Sequence, residues 1–150
     1  MIALIQRVSS AQVRIAGEPV ATIGAGILGL IGVARGDDAV AGERLAERLL
    51  SYRVFPDAEG RMNLSLRETG GALLLVPQFT LAADTHKGTR AGFSTAASPE
   101  EARRLFGHLL ERARESYPHV SAGVFGADMQ VSLTNEGPVT FWLETASTGA

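Results

Sequence analysis

The sequence predicts an α+β fold (α/β in the broad sense): a largely antiparallel sheet layered with two helices on one side, in a single domain. Two observations carry this prediction. The first third alternates strand-like stretches with glycine-containing turns and shows no helical period. Two separated segments, beginning near Asp37 or Asp38 and at Pro99, then place apolar residues at helical spacing, after which strand patterns return. At 150 residues, 45% hydrophobic and 20% charged, the chain is long and apolar enough for one buried core.

The elements follow in order. Ile2, Leu4, Gln6 and Val8 alternate with Ala3, Ile5 and Arg7 across two faces of a first strand. Val13 to Ile15 runs into a turn at Ala16-Gly17-Glu18-Pro19. Val20 to Ile23 returns, Gly24-Ala25-Gly26 turns again, and Ile27 to Val33 is a continuous apolar run, as in a strand buried on both faces. Asp37 or Asp38 offers an N-cap for a helix to about Tyr52, with Ala41, Leu45, Leu49 and Tyr52 inward. Pro56 to Gly60 is a turn, and Met62 to Leu66 leads through Gly70-Gly71 to the buried run Ala72 to Val76. Residues 85–98 form a polar loop. Ser98, Pro99 and Glu101 then open a helix with a capping box, its stripe being Ala102, Phe106, Leu109, Leu110 and Ala113. It stops before Pro118. Val124-Phe125, Met129 to Leu133 and Val139 to Leu143 read as late strands, and residues 145–150 as a frayed tail.

Composition narrows the function. With no cysteine, disulfides and thiolate metal sites are excluded. No apolar run is long enough to span a bilayer and no secretory leader is evident, so a cytoplasmic location and no membrane partner are expected. The formal net charge of −2 gives no global sign of a nucleic-acid partner. Still, Arg7, Arg14, His86, Lys87 and Arg90 fall in strands and loops, where a local basic patch would matter more than the sum.

Two segments stand out: Pro77-Gln78-Phe79-Thr80-Leu81, which closes a buried strand, and Asn135-Glu136-Gly137-Pro138-Val139-Thr140. Neither has the reactive side chains that usually mark a site. The three histidines match no zinc spacing, and no metal or cofactor is expected. His108 reads as a solvated helix position, and His119 as part of a connection. His86, beside the first segment, is the one candidate for a phosphate contact. No Gly-x-Ser-x-Gly elbow exists. Thr80 is the most suggestive hydroxyl but has no base adjacent in sequence, so a structural role competes with a nucleophilic one. Gln78 is a hydrogen-bonding residue either for a ligand or for the core. Gly137-Pro138 is either a turn, with trans favoured by sequence alone, or a means of presenting unobstructed carbonyls to a ligand ammonium group.

The opening Met1 to Val8, Gln78-Phe79-Thr80-Leu81, Ala127-Asp128-Met129-Gln130-Val131 and Asn135-x-Gly137-Pro138-Val139-Thr140 together resemble the D-aminoacyl-tRNA deacylases, in the expected order and over nearly the whole chain. The resemblance implies a cytoplasmic homodimer that hydrolyses the ester between a D-amino acid and the 3′ end of tRNA. It implies a cis Gly137-Pro138 bond, inserted into the partner subunit's site, where its carbonyls hold the α-ammonium and an L side chain collides. Achiral glycyl-tRNA, mischarged on tRNA(Ala), would then be a secondary substrate. The ester is self-activated and a ribose hydroxyl assists water, so the amides of Phe79 and Thr80 serve as oxyanion donors, with Gln78 orienting the site. Arg7 supports it, and Phe125 and Met129 pack on the terminal adenosine. His86, Lys87 and Arg90 are the expected tRNA phosphate contacts.

Two positions depart from the family pattern. Pro77 replaces the usual Ser and resembles a branch that clears L-alanine from mischarged tRNA. Ala91-Gly92 stands where a Pro is common. The alternatives to D-specific deacylation are therefore L-alanyl-tRNA deacylation and a non-catalytic nucleic-acid-binding dimer.

Overall fold

A computed structural model describes residues 1–147. It opens with three strands, β1 (Ile2–Ile15), β2 (Glu18–Ile23) and β3 (Gly26–Gly32), but they do not form the expected meander, because β2 and β3 both pair with the long β1 and not with each other. Helix α1 (Ala39–Ser51) follows, capped by the Asp38 side chain, which accepts from the Ala41 amide at 3.0 Å. A small hairpin, β4 (Phe55–Pro56) and β5 (Met62–Leu64), leads to α2 (Leu66–Thr69), β6 (Ala72–Pro77), a 3-10 turn (Phe79–Ala82), α3 (Pro99–Ser116), β7 (Val120–Ala122) and β8 (Gln130–Glu144).

The main sheet is mixed. β1 pairs antiparallel with β2, β3 and β8, while β3–β6 and β6–β7 are parallel. β8 follows one edge of β1 along nearly its whole length, so β3 and β2 share the opposite edge in succession. The sheet curls as a result, and β2 approaches β6 and β7. Two cores form. One lies under α1 and α3 and joins Ile5, Ile27, Leu73 and Leu75 to Leu45, Leu49, Leu105 and Leu109. The other fills the curl with Val8, Val13, Leu28, Leu74 and Val76. The unbroken apolar runs of β3 and β6 reflect burial on both faces.

The structure corrects several expectations. α2 was missed, although Ser65 and Glu68 form a reciprocal capping box before it and Gly70 closes it in the left-handed region at φ 74°. At α3, Ser98 does accept from the Glu101 amide, but the Glu101 carboxylate turns to Arg104 instead of closing the box. Leu105 joins the α3 stripe, and Leu110 is only half buried. The strand after α3 is Val120–Ala122. Val124 and Phe125 lie in a turn closed by Ala127 N–H donating to the Val124 carbonyl at 3.3 Å. His108 is not simply solvated, since its Nε2 lies 3.2 Å from Glu43 Oε1 and links α3 to α1. The two last strands are one, β8. Thr145 is no frayed residue: its amide donates to the Met1 carbonyl at 2.9 Å and its hydroxyl to the Ala41 carbonyl at 2.8 Å. The end of the expected tail, 148–150, lies outside the described residues.

Tyr117 pins α2 beneath α3. Its buried hydroxyl donates to the carbonyls of Leu66 at 3.0 Å and Gly71 at 2.5 Å. Burial pushes the phenol above its ordinary pKa, opposed by the charge of Arg67. The neutral form is thus favoured by folding, and this contribution is complete below the unfolded pKa and lost as pH rises through the folded one. Tyr117→Phe should lower stability by about 1–2 kcal/mol in neutral urea titrations. It should also flatten the alkaline loss of stability relative to the parent chain.

Candidate active site

At the end of β6 the ladder stops. Pro77 offers no N–H, but β7 pairs only with Leu73 to Leu75, and it is Gln78 that makes the last bond to β3, its amide donating to the Ile31 carbonyl at 2.7 Å. The missing donor at Pro77 is therefore tolerated. The chain then tightens into the 3-10 turn, with Leu81 N–H donating to the Gln78 carbonyl and Ala83 N–H to the Thr80 carbonyl, both at 3.2 Å. The first amides of such a turn have no acceptor within it. Among the described residues, those of Phe79 and Thr80 donate to no other group. Gln78 Nε2 donates to Thr80 Oγ1, and an amide is not a base able to activate that hydroxyl.

The turn lies against β3 because Gly32 has no side chain. A Cβ there would sit 2.8 Å from Leu81 Cβ and 3.3 Å from the Ala82 nitrogen. Beside the turn opens a cavity of about 440 Å³, with Val76, Pro77, Gln78 and Phe79 on one side and Phe125, Gly126, Ala127, Met129 and Val131 on another. Ala97 and the first turn of α3, through Pro99 and Ala102, complete it. None of these lining residues is ionisable. Size and apolar walls suit a flat organic group.

Phe125 is backed by Arg103, whose Cζ lies 4.9 Å from the ring centroid. Met129 is accommodated by Gly123, where a Cβ would fall 2.7 Å from its sulfur. Gln78, Phe79, Phe125 and Met129 are thus brought together. On the far side of the turn, Thr80, Asp84, His86 and Trp142 line a second hollow of about 590 Å³. There His86 Nδ1 lies 2.7 Å from Asp84 Oδ1. The His86 backbone amide, then its ring, hold the Asp84 carboxyl below its ordinary pKa. Lys87 and Arg90 are exposed on the same loop.

Arg7, Gly137 and Pro138 lie elsewhere and line neither space. A two-residue step along β1, Gln6 to Val8, faces a five-residue step along β8, Asn135 to Thr140, so the segment between them bulges from the ladder. The Gly137-Pro138 bond within it is cis, and both residues are exposed. Arg7 holds the bulge, Nε donating to the Glu136 carbonyl at 2.8 Å and Nη1 to the Val54 carbonyl at 2.6 Å. Asn135 closes it from inside, Nδ2 donating to the carbonyls of Arg7 and Val139, both at 2.9 Å, while Oδ1 accepts from Val139 N–H at 3.1 Å.

Sequence reasoning missed Gly32, Gly123 and Arg103. The two glycines carried a signal, since glycine within or beside an apolar strand marks close approach. Arg103 carried none. Among the described residues no three His, Asp or Glu side chains converge as metal ligands would.

The family model described as D-Tyr-tRNA(Tyr) deacylase matches residues 4–144. This chain belongs to the D-aminoacyl-tRNA deacylase family. It is 62% identical over 144 residues to the D-aminoacyl-tRNA deacylase of Thioalkalivibrio sulfidiphilus, covering 96% of this chain and 97% of that one. To that of Alkalilimnicola ehrlichii it is 61% identical over 150 residues, covering all of both. Among solved structures, the c-Myc DNA Unwinding Element Binding Protein superposes with a TM-score of 0.93 at 36% identity, over 98% of this chain and 100% of that one. A probable eukaryotic D-amino acid tRNA deacylase shares the fold, with a TM-score of 0.79 at 20% identity, covering 95% of this chain and 98% of the other. As a member of this family the chain is a hydrolase whose substrate is aminoacyl-tRNA.

Proposed function

We propose that this deacylase hydrolyses the ester of D-aminoacyl-tRNA in the cytoplasm through a site built from backbone, with Gly137 and Pro138 of a second copy selecting the configuration. The observation that carries the reading is the pair of unpartnered amides, Phe79 and Thr80, in a turn whose Phe79 lines an apolar cavity with no ionisable side chain in its lining. The terminal adenosine occupies the cavity between Phe125 and Met129, which sets the ester carbonyl against the turn. Water, assisted by the neighbouring ribose hydroxyl, adds to the carbonyl carbon. The carbonyl π pair becomes an oxyanion held by the two amides, and collapse breaks the bond to the ribose oxygen, which takes a proton. Gln78 fixes the turn through Thr80.

The second copy is supported by two features. Gly137 and Pro138 do not reach the cavity of their own chain. β8 pairs only with β1, which leaves a long edge beside exposed Leu133 and Trp142 among the described residues. A partner brought to that edge would carry its own Gly137-Pro138 carbonyls to the α-ammonium, and backbone there excludes an L side chain. Glycine, having no side chain, is hydrolysed as well.

Two further readings have their own observations. Pro77 favours the clearance of L-alanyl-tRNA, and the exposed Lys87 and Arg90 beside a site without side-chain catalysts favour a nucleic-acid-binding dimer without turnover, a solved neighbour being named for binding DNA. One assay separates all three. D-tyrosyl-tRNA should be hydrolysed at least about 100-fold faster than L-tyrosyl-tRNA, a difference of about 2.7 kcal/mol. Equal rates sink chiral selection, faster cleavage of L-alanyl-tRNA selects the second reading, and binding without hydrolysis selects the third.

A further inference from the structure

The rings of Phe79 and Phe93 stand 58% and 47% exposed, with centroids 5.3 Å apart and planes tilted by 38°. Two phenylalanines left in water at a site's edge are a surface awaiting a flat partner. Their backbone is held in place. Asp84 and Gly92 exchange hydrogen bonds of 2.8 and 2.9 Å immediately before Phe93, and Ala96 N–H donates to the Phe93 carbonyl at 3.1 Å. Thr95 Oγ1 then donates to the Ala82 carbonyl at 2.6 Å, which ties this loop to the turn that carries Phe79. Phe79 also lines the apolar cavity, so the aromatic pair adjoins it directly. Lys87 and Arg90 are exposed on the same loop, and Arg90, three residues from Phe93, has its Cα within about 11 Å of it.

We propose that Phe79 and Phe93 form a stacking platform for the unpaired base that precedes the terminal adenosine of the tRNA 3′ end, with Lys87 and Arg90 beside its phosphates. This rests on the reading above that the cavity takes the terminal adenosine. Recognition of single-stranded RNA combines aromatic faces with basic residues along the backbone, and this loop and turn supply both. The charge of the loop favours a nucleic acid here over another apolar protein surface. The ester would then be positioned by two nucleotides, not one, which limits the ways the carbonyl can miss the Phe79 and Thr80 amides.

The test uses the full chain and three-nucleotide RNAs ending in CCA, intact or with an abasic penultimate residue that retains the phosphates. The intact form should bind about tenfold more tightly. Phe93→Ala should erase that difference, Phe93→Trp should keep it, and Lys87→Ala with Arg90→Ala should weaken both RNAs alike. Equal affinity of the parent chain for the two RNAs overturns the proposal, as does a difference that survives Phe93→Ala. If Phe93→Ala instead shifts the oligomeric state on gel filtration, Phe93 belongs to a subunit contact and the proposal falls. Hydrolysis of D-tyrosyl-tRNA is measured on the same preparations. A base-dependent gain in binding without hydrolysis would defeat the deacylase reading and leave the platform standing.

Discussion

Gly32→Ala should reduce the single-turnover hydrolysis of D-tyrosyl-tRNA by about 10²-fold, while Thr80→Ala costs no more than a few-fold. The contrast follows from where each residue acts. A methyl group on Gly32 would stand 2.8 Å from Leu81 Cβ and 3.3 Å from the Ala82 nitrogen. Carbon atoms prefer about 3.5–4.0 Å, so strand and turn must part by nearly an ångström. Neither contact is the free end of a flexible side chain, so the turn itself moves, and with it the amides of Phe79 and Thr80. Thr80→Ala removes a hydroxyl that accepts from Gln78 and leaves the amide where it was. Overpacking at Gly32 also costs about 1–3 kcal/mol of stability. Gly29→Ala is the control on the same strand, because its new methyl meets a side-chain methyl of Leu75 at 3.3 Å and no atom of the turn among its nearest neighbours. A folded Gly32→Ala protein with unchanged rate would remove the turn from the oxyanion role. Loss of all activity in Thr80→Ala, with the fold intact, would make that hydroxyl the nucleophile.

Much of this architecture was legible because it is written in period and punctuation. The first three strands, both long helices and the N-cap at Ser98 follow from alternation, helical spacing and capping chemistry, all local properties, whereas the choice of Asp38 over Asp37 and the pairing of both β2 and β3 with β1 do not. What was not legible depends on distant partners. β8 looked like two strands because Gly137-Pro138 interrupts its pattern, and only pairing with β1 carries the strand past its own bulge. Val124-Phe125 looked like a strand because it is apolar, yet Phe125 faces the candidate cavity and Arg103. The same distinction holds at the site. The motif Gln78-Phe79-Thr80 could be found in the sequence, but not that Gly32, 46 positions earlier, decides where its amides lie. Gln78, Phe79, Phe125 and Met129 do share one space, whereas Arg7, Gly137 and Pro138 do not join them within one chain.

Asn135→Ala should lower kcat/KM on D-tyrosyl-tRNA by about 10²-fold and reduce the preference for D over L by at least about tenfold. In the bulge of β8, the Arg7 carbonyl and both backbone groups of Val139 are bonded by one side chain instead of by a facing strand. Alanine leaves all three to water or to nothing, at a cost of about 2–4 kcal/mol for this half-buried position. Arg7 still grips the Glu136 carbonyl at 2.8 Å from the other side, so the bulge is loosened at one end and not unfolded. The proposed selection by backbone carbonyls would depend on their position to a fraction of an ångström, since no side chain there would compensate for drift. Asn135→Asp keeps an acceptor for Val139 N–H and loses both donations, so its effect should fall between those of the parent and of alanine. Denaturant titration and paired D- and L-tyrosyl-tRNA rates separate the two consequences. If stability falls by the expected amount while the D-to-L ratio is unchanged, the segment 136–138 is a structural bulge only, and chiral selection must be sought on the cavity side, where Pro77 and Gln78 would be the first residues to replace.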